Sequence, residues 1–185
     1  MKALIIVDMV NDLYDGVLNN EKYANTIIPG IQTLLEHCRK NASEWVIVYS
    51  NDAHREGDPE LKIWGPHAME GTKGAEVIPA LKPTGAENEV ISGKRFYSAF
   101  DGTGLKEILE EKGVNECVVV GQHTHCCVRH TCNSIYMLSM AIKVPSDCVC
   151  VFEGQDNQQA LEYLKAIYGA TITTSDEIIN SSRTL

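Results

Sequence analysis

Hydrophobic positions along the chain follow two alternating periods. Ala3-Leu4-Ile5-Ile6-Val7, Trp45-Val46-Ile47-Val48-Tyr49 and Cys117-Val118-Val119-Val120 are short, continuously apolar runs, the pattern of strands covered on both faces. Weaker runs at Val90-Ile91, Ile142-Lys143-Val144-Pro145 and Ala170-Thr171-Ile172-Thr173 predict further strands. Between them apolar residues recur at helical spacing. They do so over 23–39 (Ile27, Ile28, Ile31, Leu34, Leu35, Cys38), over 105–112 ahead of Gly113, from about 127 to 140, and over 158–168 ahead of Gly169. Strands that are hydrophobic throughout and separated by helices predict an α/β fold. Its three αβα layers enclose a mostly parallel, doubly wound central sheet. The 185 residues show no repeat, linker or low-complexity segment and are expected to form one domain over 1–185.

Composition narrows the function classes. With 44% hydrophobic and 22% charged residues, disorder and fibrous repeats are excluded. A formal net charge of -9 argues against nucleic acid or an anionic membrane surface as a partner. No apolar run approaches the roughly 20 residues of a membrane helix, and the first strand follows Met1-Lys2 directly, so a soluble, cytoplasmic protein is expected. Seven cysteines, an odd number with no CxxC pair, read as reduced thiols.

In open α/β sheets, ligands collect beyond the carboxyl ends of the strands. Asp8 follows the first strand between Val7 and Met9, where burial can raise a carboxyl toward acid–base use. The alternative is an aspartate that ties down the turn, a role that Asp12 fits better. Asp52 and His54 project the same way from extended backbone, and His67 lies in the same loop. Two histidines and one carboxylate are an ordinary ligand set for zinc or another divalent metal, although histidines in polar loops are commoner than metal sites. That loop, 51–73, is of a length that compact α/β domains reserve for function. Lys94 ends the third strand and is solvated there unless something faces it.

The segment from Gly121 to Thr131 runs from a strand end into a helix start and holds His123, His125, Cys126, Cys127 and His130. A cysteine in the first helical turn feels the positive end of the macrodipole, which favours the thiolate, and the same amides can hold an oxyanion. A nearby lysine would lower the thiol further. Cys126 and Cys132 are assigned to space-filling behind the sheet. His123, His125 and the adjacent thiols form a second conceivable metal set, disfavoured because vicinal cysteines rarely both reach one ion.

Taken together, five ordered motifs make the chain resemble the isochorismatase-like cysteine hydrolases, which include nicotinamidases and N-carbamoylsarcosine amidases. They are Ile6-Val7-Asp8-Met9 with Asn11-Asp12, Asn51-Asp52-Ala53-His54, Trp64-Gly65-Pro66-His67 with 71–76, Lys94-Arg95-Phe96-Tyr97-Ser98-Ala99-Phe100, and Gly121 to Thr131. The resemblance implies a catalytic triad of Asp8, Lys94 and Cys127. It implies an oxyanion hole from the backbone amides of His123 and Cys127, with a non-proline cis peptide at Gln122-His123. It also implies that Asp52, His54 and His67 hold a divalent metal, zinc in the first place. Leu13, Trp64 and Tyr97 are expected to line a pocket with apolar walls. Two departures bear on the substrate: His125 replaces the family's acidic residue, and Asp52-Ala53-His54-Arg55 replaces the Asp-Trp-His-Pro of nicotinamidases.

The expected activity is therefore hydrolysis of a small-molecule amide C–N bond through a thioester with release of ammonia. Nicotinamide comes first as substrate, and N-carbamoyl or ureido amides next. The rivals are isochorismatase-type vinyl-ether hydrolysis, which uses no cysteine nucleophile, and a non-enzymatic metal- or redox-binding protein. Dinucleotide binding is disfavoured by the lack of GxGxxG after the first strand. Relatives assemble as dimers or tetramers, so the resemblance implies a homo-oligomer.

Overall fold

The three long apolar runs become the inner strands of one parallel sheet, in a computed structural model that describes residues 1–181. The domain expected over 1–185 has its last four residues outside the described ones. Strand β1 (Lys2–Val7) lies between β2 (Trp45–Asp52) and β4 (Glu116–Gln122). Strand β3 (Glu89–Lys94) flanks β2, β5 (Ala141–Pro145) flanks β4, and β7 (Thr171–Thr173) follows β5. The two-residue β6 (Val149–Cys150) pairs with the carboxyl end of β4. The order is β3-β2-β1-β4-β5-β7, with every pairing parallel. Chain order reverses between β1 and β4, the point at which doubly wound sheets open a crevice.

The continuous apolar runs have a direct cause. Successive strand residues face opposite sides, and both sides are covered. Ala3, Ile5 and Val7 join Val46, Val48, Cys117 and Val119 on one face, under α4 (Leu105–Glu111), α5 (Arg129–Met137) and α6 (Asn157–Tyr168). Leu4, Ile6, Ile47, Tyr49, Val118 and Val120 face the other way, under α2 (Glu21–Lys40) and α7 (Ser175–Ser181). Two four-residue helices, α1 (Asn11–Tyr14) and α3 (Leu61–Trp64), lie in the loops at the carboxyl edge. Among the described residues, no helix is long and apolar enough to cross a membrane.

Several boundaries differ from the sequence pattern. β2 extends three residues past its apolar run, because Ser50, Asn51 and Asp52 are buried as well. Asp52 is thus the last residue of the strand, where the pattern set it just beyond. The helix expected over 127–140 is a π-helical turn (Thr124–Val128) followed by α5. It stops short, with Ser139 in the left-handed region at φ 57°. α2 runs through Pro29, whose exposed position leaves the missing backbone bond on the solvent side.

Candidate active site

Four adjacent strands deliver one side chain each to the same point. Asp8 follows β1 with a left-handed backbone, φ 51°, so its carboxylate turns inward. Its amide donates to Ser50 O at 2.9 Å, and its Oδ1 accepts from the Asp52 amide at 2.8 Å. Lys94 ends β3 in register with Asp52 at the end of β2. The Lys94 ammonium is fully buried; its Nζ lies 2.8 Å from Asp8 Oδ2 and 3.8 Å from Cys127 Sγ, and donates to Asp52 Oδ1. Cys127 sits in the π-helical turn after β4, 3% exposed. The three residues expected to form a triad are therefore together, and the lysine expected to be solvated in isolation has three partners. A cis peptide joins Gln122 to His123, the bond the resemblance implied.

Electrostatics explains how one ammonium survives burial. Burial alone disfavours the Lys94 charge, but the Asp52 and Asp8 carboxylates outweigh it and hold the ammonium well above its ordinary value. Burial likewise pushes Asp52 up, yet Lys94, His54 and His67 hold it well below the usual carboxylate range. Asp8 goes the other way. Burial, with the neighbouring Asp52 charge second, pushes it up to about 6 despite Lys94. The Cys127 thiol lies beside Cys126 in the same turn and 3.8 Å from Lys94 Nζ. The Cys126 contact and burial raise it well above the ordinary thiol value, although Lys94 pulls it down. Burial and Cys126 thus oppose the lowering of the thiol that its place at a helix start, with a lysine nearby, led the sequence to suggest.

Next to this group, Asp52, His54, Glu60 and His67 each offer a ligand atom, all within 4.8 Å of one another and all buried. His54 Nδ1 faces Asp58 Oδ2 at 3.4 Å, and His67 Nδ1 faces Gly65 O at 2.8 Å. Both rings therefore aim Nε2 at Asp52 Oδ2, at 3.6 and 3.8 Å. His54 Nε2 and Asp52 Oδ2 are buried without a hydrogen-bond partner. Two imidazoles oriented through their far nitrogens, two carboxylates and unpartnered inner atoms fit a divalent cation. Asp58 is itself pinned, accepting from Arg95 Nε at 3.1 Å and from the Arg55 amide at 2.9 Å. The sequence pattern missed Glu60 and Asp58, because acids in a polar loop carry no periodic signal.

A cavity of about 200 Å³ opens beside Cys127. Leu13, Trp64 and Tyr97 line it as expected, joined by Leu18 and Phe152, with Glu60 and His67 reaching it from the cation group. Trp64 Nε1 donates to Tyr97 Oη at 3.3 Å, which ties two walls together. Phe152 packs edge-on against Trp64, His123 and His125 at 5.8, 5.3 and 4.5 Å between ring centroids. Burial, with His125 second, pushes His123 down to about 3, so its imidazole is neutral. Cys132 is core, as assigned, but Cys126 is only half-buried and lines this cavity, which corrects its space-filling role. Asp12 does tie a loop, its Oδ2 accepting from the Ala68 amide at 2.8 Å.

Residues 2–177 match the isochorismatase domain family. The nicotinamidase/pyrazinamidase of Mycobacterium tuberculosis is 30% identical over 194 residues, covering 98% of this chain and all of that one. The N-carbamoylsarcosine amidase of Thermoplasma acidophilum is 34% identical with a TM-score of 0.86, covering 95% of this chain and 96% of that one. A pyrazinamidase of Pyrococcus horikoshii, solved in complex with zinc, is 28% identical with a TM-score of 0.82, covering 94% of this chain and 98% of that one.

Proposed function

Because the chain belongs to the isochorismatase family of hydrolases, we propose that it splits the C–N bond of a small amide with Cys127 as nucleophile, in the manner of a nicotinamidase. The observation that carries this reading is the buried contact of Lys94 with both Asp8 and Cys127, the last of which lines the cavity. Asp8, raised toward neutrality, takes the thiol proton, and Lys94 holds the resulting sulfur charge. The thiolate attacks the amide carbonyl carbon, and the backbone amides of His123 and Cys127 receive the oxyanion. As the tetrahedral centre collapses, the C–N bond breaks, and Asp8 returns its proton to the departing nitrogen. Ammonia leaves and an acyl thioester remains on Cys127. Water, deprotonated by Asp8, then attacks the thioester, releasing the acid and restoring the thiol.

Asp52, His54, Glu60 and His67 would hold zinc, which supplies Lewis-acid polarisation of a substrate heteroatom when bound. The zinc complex of the related pyrazinamidase and the oriented imidazoles support this choice.

The cavity favours a flat, uncharged aromatic amide. Its walls carry Trp64, Tyr97 and Phe152, and among the described residues no arginine or lysine lines it. A ureido acid would bring a carboxylate against these apolar walls, where no side-chain cation of the lining meets it. Nicotinamide and pyrazinamide therefore rank ahead of N-carbamoyl amino acids. The test is ammonia release from zinc-loaded protein over a panel of both classes. Wild type should turn over the aromatic amides, and Cys127→Ala should lose at least about 10³-fold in kcat. Full turnover by Cys127→Ala, or no ammonia from any amide, would sink the reading.

A further inference from the structure

Gln122 is the last residue of β4, fully buried, and its polar side chain points into a place where strand ends normally present apolar or solvated groups. Its Nε2 donates to Asp8 O at 3.1 Å and to Leu13 O at 2.9 Å. Its Oε1 accepts from Asn20 Nδ2 at 3.0 Å, and Asn20 Nδ2 also lies 3.2 Å from Val151 O. One carboxamide thus uses both N–H bonds and its oxygen to join Asp8 in the β1–α1 turn and Leu13 in α1 to Asn20, the residue preceding α2. Leu13 and Asn20, two of the residues it holds, line the cavity.

We propose that Gln122 is a positioning residue: it sets where the Asp8 carboxylate and the Leu13 wall stand relative to Cys127. The inference rests on the hydrolase reading for its chemistry and on the hydrogen bonds for its geometry. Asp8 carries a left-handed backbone that a non-glycine residue adopts only when its surroundings hold it. Its N–H is held from β2 by Ser50 O, and its carboxylate by the Asp52 amide and Lys94. The carbonyl is the remaining anchor, and Gln122 supplies it. Without that anchor the Asp8 carbonyl loses its side-chain partner, and the turn that aims the carboxylate rests on the bonds to Ser50 and Asp52 before it and on Met9 O, which accepts from the Ile78 amide, after it. A general base needs hydrogen-bond reach of the proton that it moves, and a misplacement of about 1 Å can cost roughly 100-fold in rate. The same side chain fixes Leu13, so the wall and the base are set by one group and move together.

The test uses Gln122→Met, which keeps the length and loses both donors, in the full-length, zinc-loaded protein. Folded protein is isolated by gel filtration and its active sites are counted by mass spectrometry as Cys127 carrying iodoacetamide, resolved from the other six cysteines, so misfolded protein does not enter the rate. Expected is a kcat per titrated site lowered by about 10- to 100-fold, with bound zinc unchanged. A kcat per site within two-fold of wild type, with only the melting temperature lowered, makes Gln122 a structural residue and overturns the proposal. If Gln122→Met does not fold, Asn20→Ala removes the clamp on the carboxamide oxygen, and the same per-site loss is expected, smaller in size. If wild type releases ammonia from no amide, the hydrolase reading has failed by itself. The positioning claim is then read from the alkylation rate of Cys127 at fixed pH. That rate should change in Gln122→Met in the same direction as in Asp8→Asn, and an unchanged rate overturns it.

Discussion

Gly121 precedes Gln122 with φ 105°, and a Cβ there would lie 2.1 Å from Val7 O. Both the backbone conformation and the approach of β1 require glycine. Gly121→Ala should lose more than about 3 kcal/mol, seen as a collapse of soluble yield or melting temperature; a native-like melting curve would show that β1 can yield. Asp58 acts at the same scale, orienting His54 while held by Arg95 and the Arg55 amide. Asp58→Ala should weaken zinc binding by about 10- to 100-fold in a chelator competition, and an unchanged affinity would mean that His54 needs no orienting partner. Individual residues were legible in the sequence where chemistry and position coincide. Asp8, Asp52, Lys94 and Cys127 each stand at or just past a strand end. Glu60 and Gln122 were not, because a polar residue at a loop or strand end reads as solvated until the fold shows what covers it, and Cys126 read as a small buried residue for the opposite reason.

Elements were legible in proportion to their length and burial. β1, β2, β4, α2 and α6 announce themselves, the last with an Asp156 cap accepting from the Gln159 amide at 3.1 Å and Gly169 as its stop. The two-residue β6 and the four-residue α1 and α3 are too short to show a period, and α7 was missed with them. β3 is the instructive intermediate, an edge strand half-exposed along its length. It is fastened at its start by Glu89, which accepts from Arg39 Nε at 2.9 Å and from the Thr84 and Gly85 amides at 2.7 and 2.9 Å. Burial pushes the Glu89 carboxyl up, but Arg39 and those amides outweigh it and hold it below the ordinary value of 4.5. Since the folded-state value is depressed, its contribution is present above 4.5 and is lost as pH falls through the lower, folded value. Glu89→Gln should therefore be less stable than wild type at pH 7 by on the order of 1 kcal/mol. The gap should close on acidification in urea titrations; a gap that persists unchanged at acid pH would assign the stabilisation to shape.

At the scale of the whole molecule, the parallel sheet and its two helical layers follow from the apolar runs, and the crevice follows from the strand order. The cation group could not be foreseen in full, because its four members bring a strand end, a loop and the approach to a short helix together only in the folded state. Such a site links ion binding to folding. At zinc one hundred-fold above its dissociation constant the linkage is worth about 2.7 kcal/mol, or a melting shift on the order of 5–10 °C. Chelation should lower the melting temperature by that amount in calorimetry, and no shift would mark the group as an ion-pair cluster without an ion. Asp52 belongs to both halves of the crevice, one oxygen turned to Lys94 and the other to the two imidazoles. Any redesign aimed at a different metal must accordingly leave position 52 untouched and work through 54, 60 and 67, since an edit at 52 would also strip the lysine of half its counter-charge and retune the sulfur.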